Sequence, residues 1–349
     1  MGHNILYLSS FVKLGSFLNI FCEAEKDTTD PWNSKLEKVI EEAGVHNPWF
    51  TRDNVNYVLA YWGRQLSEKN ITQWLSPYTL PNQELPKQIA VIMAGNIPLV
   101  GFHDFLCVLF SGNTVVAKLS SNDRVVLPFL TEYLKAMDPG LEDRIFFTQG
   151  KLNDFDAVIA TGSNNTGRYF DYYFGKYPNL IRKNRNSVAV LSGNEKQESL
   201  RLLGEDLFRY FGLGCRSVSK IYVPEDYDFT PLFKAILPWE SLLQSNKYAN
   251  NYEYNRAVYL LSDFDVLDNG FLILKEDTGI ASPIGVLYFE YYKDPEQLKQ
   301  QLLAASNTIQ CIVAENFTPN KVALGQTQLP ALKDYADGVD TMAFLLKLA

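Results

Sequence analysis

Four cysteines occur in the chain, and Cys215 has the setting in which a thiol is used. The run FGLGCRSVSK, residues 211–220, puts Gly212 and Gly214 ahead of it. Glycine admits the sharp turn that would bring the thiol and its own N–H to a loop surface. Arg216, the next residue, adds a permanent positive charge that favours thiolate. A buried inert cysteine is the competing reading, and it is the one kept for Cys107 inside the apolar run 105–110. A nucleophilic cysteine commonly works with a base or a charged partner. Of His3, His46 and His103, only His103 sits at a strand-to-helix junction, where a satisfied helix-start imidazole outweighs a catalytic base. With no clear Cys/His pair, a cysteine protease is disfavoured.

An acyl group on that sulfur would need its oxyanion held. The loop AGNIPLVGF, residues 94–102, follows a strand and opens a helix, where free backbone N–H groups gather. Asn96 offers a neutral amide donor there, unless it serves as a helix cap. A second loop, TGSNNTG at 161–167, carries Gly162 and Ser163, small enough to admit a pyrophosphate; alone this is a weak signal. The basic stretch Arg182, Lys183, Asn184, Arg185 would suit phosphates or a solvated turn. The aromatic run Tyr169, Phe170, Tyr172, Tyr173, Phe174 would line an acyl tunnel or, more commonly, a core.

These residues need a scaffold. Helical spacing predicts helices around residues 8–21, 35–43 and 54–66, the second capped at Asn33-Ser34 and ended by Gly44. From residue 89 the pattern becomes α/β: strands 89–94, 114–118, 145–147 and 157–160, with helices 102–110 and 125–137. Such alternation predicts a parallel sheet covered on both faces. A second α/β block starts at Ser187, with strands 188–191 and 219–223 around a helix 198–211. Later strands are expected at 258–261, 285–289 and 311–314, with a helix 295–306 between the last two. The boundary between blocks is placed near Asn184.

At 349 residues, with 46% hydrophobic and 21% charged, the chain suits about two folded domains. Its charge balance, 32 − 40 = −8, disfavours a general nucleic-acid binder or a protein held broadly on anionic lipid. No CxxC pair and only three histidines predict no metal site, and the scattered cysteines fit a reducing compartment. No apolar run approaches the roughly 20 residues that cross a bilayer. The stretch NILYLSSFVKLG, residues 4–15, lacks a basic leader, and Lys13 interrupts it, so no signal peptide is expected and the default is cytoplasmic.

The run VIMAGNIPLVGFHDFLCVLFSGNTVVAKLSSND, residues 91–123, resembles the aldehyde dehydrogenase superfamily, whose segment reads PWNFP…GNTVVLKP. The resemblance implies that Asn96 is the oxyanion asparagine and that Lys118 contacts the adenosine ribose. It places Gly162 and Ser163 at the cofactor pyrophosphate and Gly214-Cys215 on the GQxC nucleophile loop, with 219–223 as the strand after it. The departures are informative. Hydrolysing members carry a glutamate in ELGGK to activate water; the counterpart here, LIRKNRNSVAVLSG at 180–193, has no carboxylate. The EIFGP glutamate has only GIASPIG, 279–285, as counterpart, and Glu276 lies too early. Ala94-Gly95 replace the Pro-Trp. With AGNIP, GLGCRS and the ending 325–345, the chain from about Lys87 resembles the LuxC-type acyl-CoA reductases.

That likeness implies an aldehyde dehydrogenase-like α/β fold. Residues 1–184 would hold the N-terminal helices and a Rossmann-like nicotinamide domain, and 185–337 a second α/β catalytic domain with Cys215. An oligomerisation arm would come from 80–88 and 338–349, the latter with a strand at 341–348, giving a homodimer or larger. The activity implied is NADPH-dependent reduction of fatty acyl-CoA, or another acyl thioester, to aldehyde through an acyl-cysteine. NADH is an alternative donor, and a partner protein handing over the acyl group is compatible. The competing readings are an acyl-phosphate reductase of the glutamyl-phosphate type and a non-catalytic acyl-binding scaffold.

Overall fold

The computed structural model describes residues 5–23, 30–80, 85–162, 164–262, 264–317 and 321–348, with 164 and 165 described in backbone only. The chain divides into two compact units, residues 1–183 with 331–349, and residues 184–330.

The first unit opens with four helices, α1 (Leu8–Glu23), α2 (Pro31–His46), α3 (Arg52–Gln65) and α4 (Glu68–Leu75). Side-chain caps start three of them: Asp30 accepts from the Trp32 N–H, Thr51 from Asn54 and Ser67 from Asn70. For α2 this corrects the expected cap at Asn33-Ser34. Pro31, with its φ already helical and no N–H to lose, starts the helix four residues earlier. The same helix runs through Gly44 to His46, since one glycine costs a helix only about 1 kcal/mol.

Next come β1 (Gln88–Ile92), α5 (Phe102–Phe110), β2 (Thr114–Lys118), α6 (Val126–Met137), β3 (Ile145–Phe147), β4 (Ala157–Thr161), α7 (Asn164–Phe174) and β5 (Asn179–Arg182). The five strands form a parallel sheet in the order β3-β2-β1-β4-β5. Ile89, Ala90 and Val91 of β1 are all buried, as befits a strand covered on both faces. Ile92 pairs with Lys118 on one side and with Ala160 on the other. The strand order therefore reverses beside β1, the place where open α/β sheets receive ligands at their carboxyl edge.

The second unit contains β6 (Asn186–Val190), α8 (Gln197–Phe208), β7 (Val218–Pro224), α9 (Thr230–Ile236), α10 (Asn246–Leu261), β8 (Val266–Asp268), β9 (Ile273–Glu276), β10 (Val286–Tyr292), α11 (Pro295–Ala304) and β11 (Ile309–Val313). Its sheet runs β11-β6-β7-β10-β9-β8, parallel except that β8 is antiparallel to β9. Alternation along β7 sends Ile221 and Val223 into one core with Leu203, Leu207 and Leu232, and Tyr222 into another with Leu298 and Leu302.

Two expected strands are helical. Residues 258–261 are the end of α10: Val258, Leu260 and Leu261 are exposed there and Tyr259 is buried, so the four apolar residues face different directions. Residues 341–346 form α12 (Thr341–Leu346), whose first turn Asp340 caps by accepting the Ala343 N–H. Of the 80–88 arm, residues 81–84 lie outside the described residues. No described helix is long and apolar enough to cross a membrane.

Candidate active site

Cys215 lies in a short loop between α8 and β7. The chain leaves α8 through three successive residues in the left-handed region, Tyr210 (φ 54°), Phe211 (φ 58°) and Gly212 (φ 74°). For an L side chain this conformation costs roughly 1–2 kcal/mol per residue. Burial of both rings holds Tyr210 and Phe211 there. Strain held this way gathers where geometry matters more than stability. Next comes the turn 214–217, closed by the Ser217 N–H donating to the Gly214 carbonyl at 3.0 Å. Cys215 is half-buried in that turn. Ser187 Oγ on β6 donates to its carbonyl at 3.0 Å, and Arg216 Nε donates to the Thr327 carbonyl at 2.5 Å.

Two features near this loop went unread in the sequence. Asp206 on α8 is fully buried and accepts the N–H groups of Gly325 (2.6 Å) and Thr327 (2.9 Å). Burial pushes its carboxyl up to about 6, although those N–H groups pull the other way. Lys220 on β7 is fully buried too; it pairs with Glu290 at 2.6 Å and lies over the Tyr222 ring. A lysine inside a strand rich in apolar residues was the available sign. At the end of β6 the next carboxylate is Glu195. It is folded back to accept the Ser192 N–H (2.6 Å), the Ser192 hydroxyl (2.8 Å) and the Gly193 N–H (3.1 Å).

In the first unit, Asn96 lies exposed on the loop between β1 and α5. The loop packs too closely for side chains at two points. A Cβ on Gly95 would stand 2.5 Å from Ser120 Oγ, and one on Gly101 2.4 Å from Met93 Cγ. Leu99 is held at φ 55°, its N–H donating to Asp123 Oδ2 at 2.9 Å. Burial raises the Asp123 carboxyl to about 6, with the Leu99 N–H opposing. Its other oxygen has no hydrogen-bond partner among the described residues.

Lys118 and Gly162 stand at the carboxyl ends of β2 and β4, on the same sheet edge as the Asn96 loop. Lys118 Nζ donates to the Gly150 carbonyl at 2.9 Å. A Cβ on Gly162 would meet the Phe170 ring at 3.0 Å and Thr166 at 3.1 Å, so this turn accepts only glycine without adjustment. Ser163 lies outside the described residues. The structure thus brings Asn96, Lys118 and Gly162 to one edge of the first unit's sheet.

Other candidates resolve differently. His103 Nε2 lies 2.8 Å from the Leu332 carbonyl, which fixes the proton on that nitrogen, and Nδ1 faces Cys107. Burial pulls its pKa down, so it is a neutral core histidine. Arg182 is neither a solvated turn residue nor a phosphate ligand. It is buried against Asp104, and its Nη2 donates to Thr341 Oγ1 at 2.9 Å. Lys183 pairs with Asp171 at the surface, and Arg185 donates to the Ser306 carbonyl. Phe170 and Phe174 pack on Ala90, Val158 and Ala160, while Tyr169, Tyr172 and Tyr173 are exposed. Among the described residues no group of three or more His, Cys, Asp or Glu is placed to hold a metal ion.

No protein-family model and no curated protein matches the sequence. Solved structures do match the fold. The indole-3-acetaldehyde dehydrogenase AldA of P. syringae, in complex with NAD+, aligns over 93% of this chain and 74% of its own, at 13% identity and a TM-score of 0.64. An NAD-dependent aldehyde dehydrogenase from Sinorhizobium meliloti covers 93% and 72% at 12% identity and TM-score 0.62. Aldehyde dehydrogenase 21 from Physcomitrella patens, with succinate as bound product, covers 90% and 73% at 14% identity and TM-score 0.62. The fold is aldehyde dehydrogenase-like, as the motifs predicted.

Proposed function

We propose that this chain reduces an acyl thioester, a fatty acyl-CoA, to the aldehyde through an acyl-cysteine on Cys215. The Cys215 thiolate attacks the acyl carbonyl carbon, and the carbonyl electron pair moves onto oxygen. The Cys215 N–H and the Asn96 amide stabilise that oxyanion; one such donor is typically worth about 3–4 kcal/mol of barrier. Collapse breaks the carbon–sulfur bond to CoA, which leaves as thiolate. A thiolate leaves without strong acid assistance, so this step requires no histidine partner. Lys118, Gly162 and Ser163 would hold the nicotinamide cofactor, NADPH with NADH as the alternative. The tight turn at Gly162, packed against Phe170 and Thr166, and the reversal of strand order beside β1 support that placement. When bound, it supplies the hydride that turns the acyl-cysteine into aldehyde and frees the sulfur.

What carries this reading is the end of β6. The stretch 180–193 has no carboxylate, and Glu195 just beyond it already accepts three donors from Ser192 and Gly193. With no carboxylate in that stretch to activate water, an acyl-cysteine would last long enough to be reduced. The test follows NADPH and NADH absorbance with acyl-CoAs of graded length, with Cys215→Ala as control. Cofactor oxidation that depends on both acyl-CoA and Cys215 is expected. Oxidation of neither cofactor at any chain length, or an alanine variant of equal rate, overturns the proposal.

A further inference from the structure

We infer that Asp206 is a positioning residue for Cys215, acting through Thr327 and Arg216; this rests on Cys215 being the nucleophile, as proposed above. Asp206 sits on α8, and both its oxygens accept backbone N–H groups more than a hundred residues away, from Gly325 and Thr327. Bonds to an ionised acceptor are shorter and stronger than neutral ones and fix direction as well as distance. With its N–H pinned to Asp206, Thr327 presents its carbonyl, on the next peptide, to Arg216 Nε. The following residue continues the brace, Gln328 Nε2 donating to Ser217 Oγ at 3.3 Å. Segment 325–328 thus supports the turn 214–217 on one side, while Ser187 holds the Cys215 carbonyl.

The consequence falls on the guanidinium. Arg216 carries its charge wherever the side chain points, and the bond to Thr327 confines that charge beside the nucleophile turn. Glu205, the neighbour of Asp206 on α8, adds a negative charge nearby but is engaged by Arg209 at 2.9 Å. A buried carboxylate is expensive as a mere fastener; both of its oxygens serve the one segment that holds Arg216.

The experiment is the pH dependence of iodoacetamide labelling at Cys215, read by peptide mass spectrometry in the full chain, Asp206→Asn, Arg216→Gln and the double variant. Each single change should slow labelling at pH 7 by about threefold to tenfold and move the labelling profile to higher pH, with the double no slower than the slower single. A purely structural Asp206 would lower the melting temperature and leave the labelling profile in place, which overturns the inference. So do single effects that multiply in the double variant. Should Asp206→Asn fail to fold, an unchanged profile in Arg216→Gln overturns it alone. Labelling requires neither acyl-CoA nor cofactor, so failure of the reductase reading shows separately, as a wild-type Cys215 that labels but does not turn over.

Discussion

Both loops proposed to handle the acyl group hang on a buried aspartate, but with different fastenings. In the second unit Asp206 engages two amides, one through each oxygen, and the loop it braces carries Cys215. In the first unit Asp123 engages one amide, that of the strained Leu99, and leaves an oxygen without a partner among the described residues. Hydrogen bonds to charged groups contribute about 1.5–3 kcal/mol each, so Asp206 holds segment 325–328, the brace of the nucleophile loop, roughly twice as firmly as Asp123 holds the Asn96 loop. The contrast suits the chemistry. In the proposed reaction the sulfur must stay in one place through both half-reactions, which the two-amide fastening would serve.

The largest effect should come from the nucleophile itself: Cys215→Ala lowers acyl-CoA reduction by at least about 10⁴-fold, measured by NADPH oxidation. Next is Asn96→Ala, expected to slow acylation by roughly 10²–10³-fold with cofactor affinity unchanged. Stopped-flow release of CoA separates the two quantities, and equal damage to both would mean a collapsed loop. Asp123→Ala should cost acylation about tenfold, less than Asn96→Ala, because it loosens the loop without deleting the donor. A rate equal to wild type would remove Asp123 from the comparison.

Acid acts on both fastenings alike. Both carboxyls rise from an ordinary 3.8 to about 6. The folded chain therefore holds their protons more tightly than the unfolded chain. Ionisation of each costs stability as pH climbs from about 4 to about 6, and acidification from pH 7 to 5 returns about 1 kcal/mol per group. Urea midpoints of wild type, Asp123→Asn and Asp206→Asn at the two pH values should show each variant lacking one such increment. The smallest effect belongs to Lys118→Ala, whose amine already has the Gly150 carbonyl: a rise of about threefold in cofactor KM with kcat retained.

Much of this arrangement could be read from the residues because it is local. The apolar run 89–94 announced β1, which ends two residues sooner at Ile92, the bounds of α5 at Phe102 and Phe110 are those expected, and the glycines before Cys215 announced its turn. Where the pattern mixed, reading failed. The apolar residues at 258–261 look like a strand but close α10, and β5 (Asn179–Arg182) hides at a sheet edge among basic residues. The fastenings were beyond reach for another reason. Asp206 finds Gly325 and Thr327, and Arg182 finds Asp104 and Thr341, across separations that no spacing rule covers. A buried charge without a local partner was the only sign available.

The most direct test of the account is intact-protein mass spectrometry after mixing with acyl-CoA in the absence of cofactor. It predicts one acyl adduct, located at Cys215, that persists in water and disappears with release of aldehyde when NADPH is added. No adduct at Cys215, or an adduct lost as free acid before any hydride donor arrives, would contradict it.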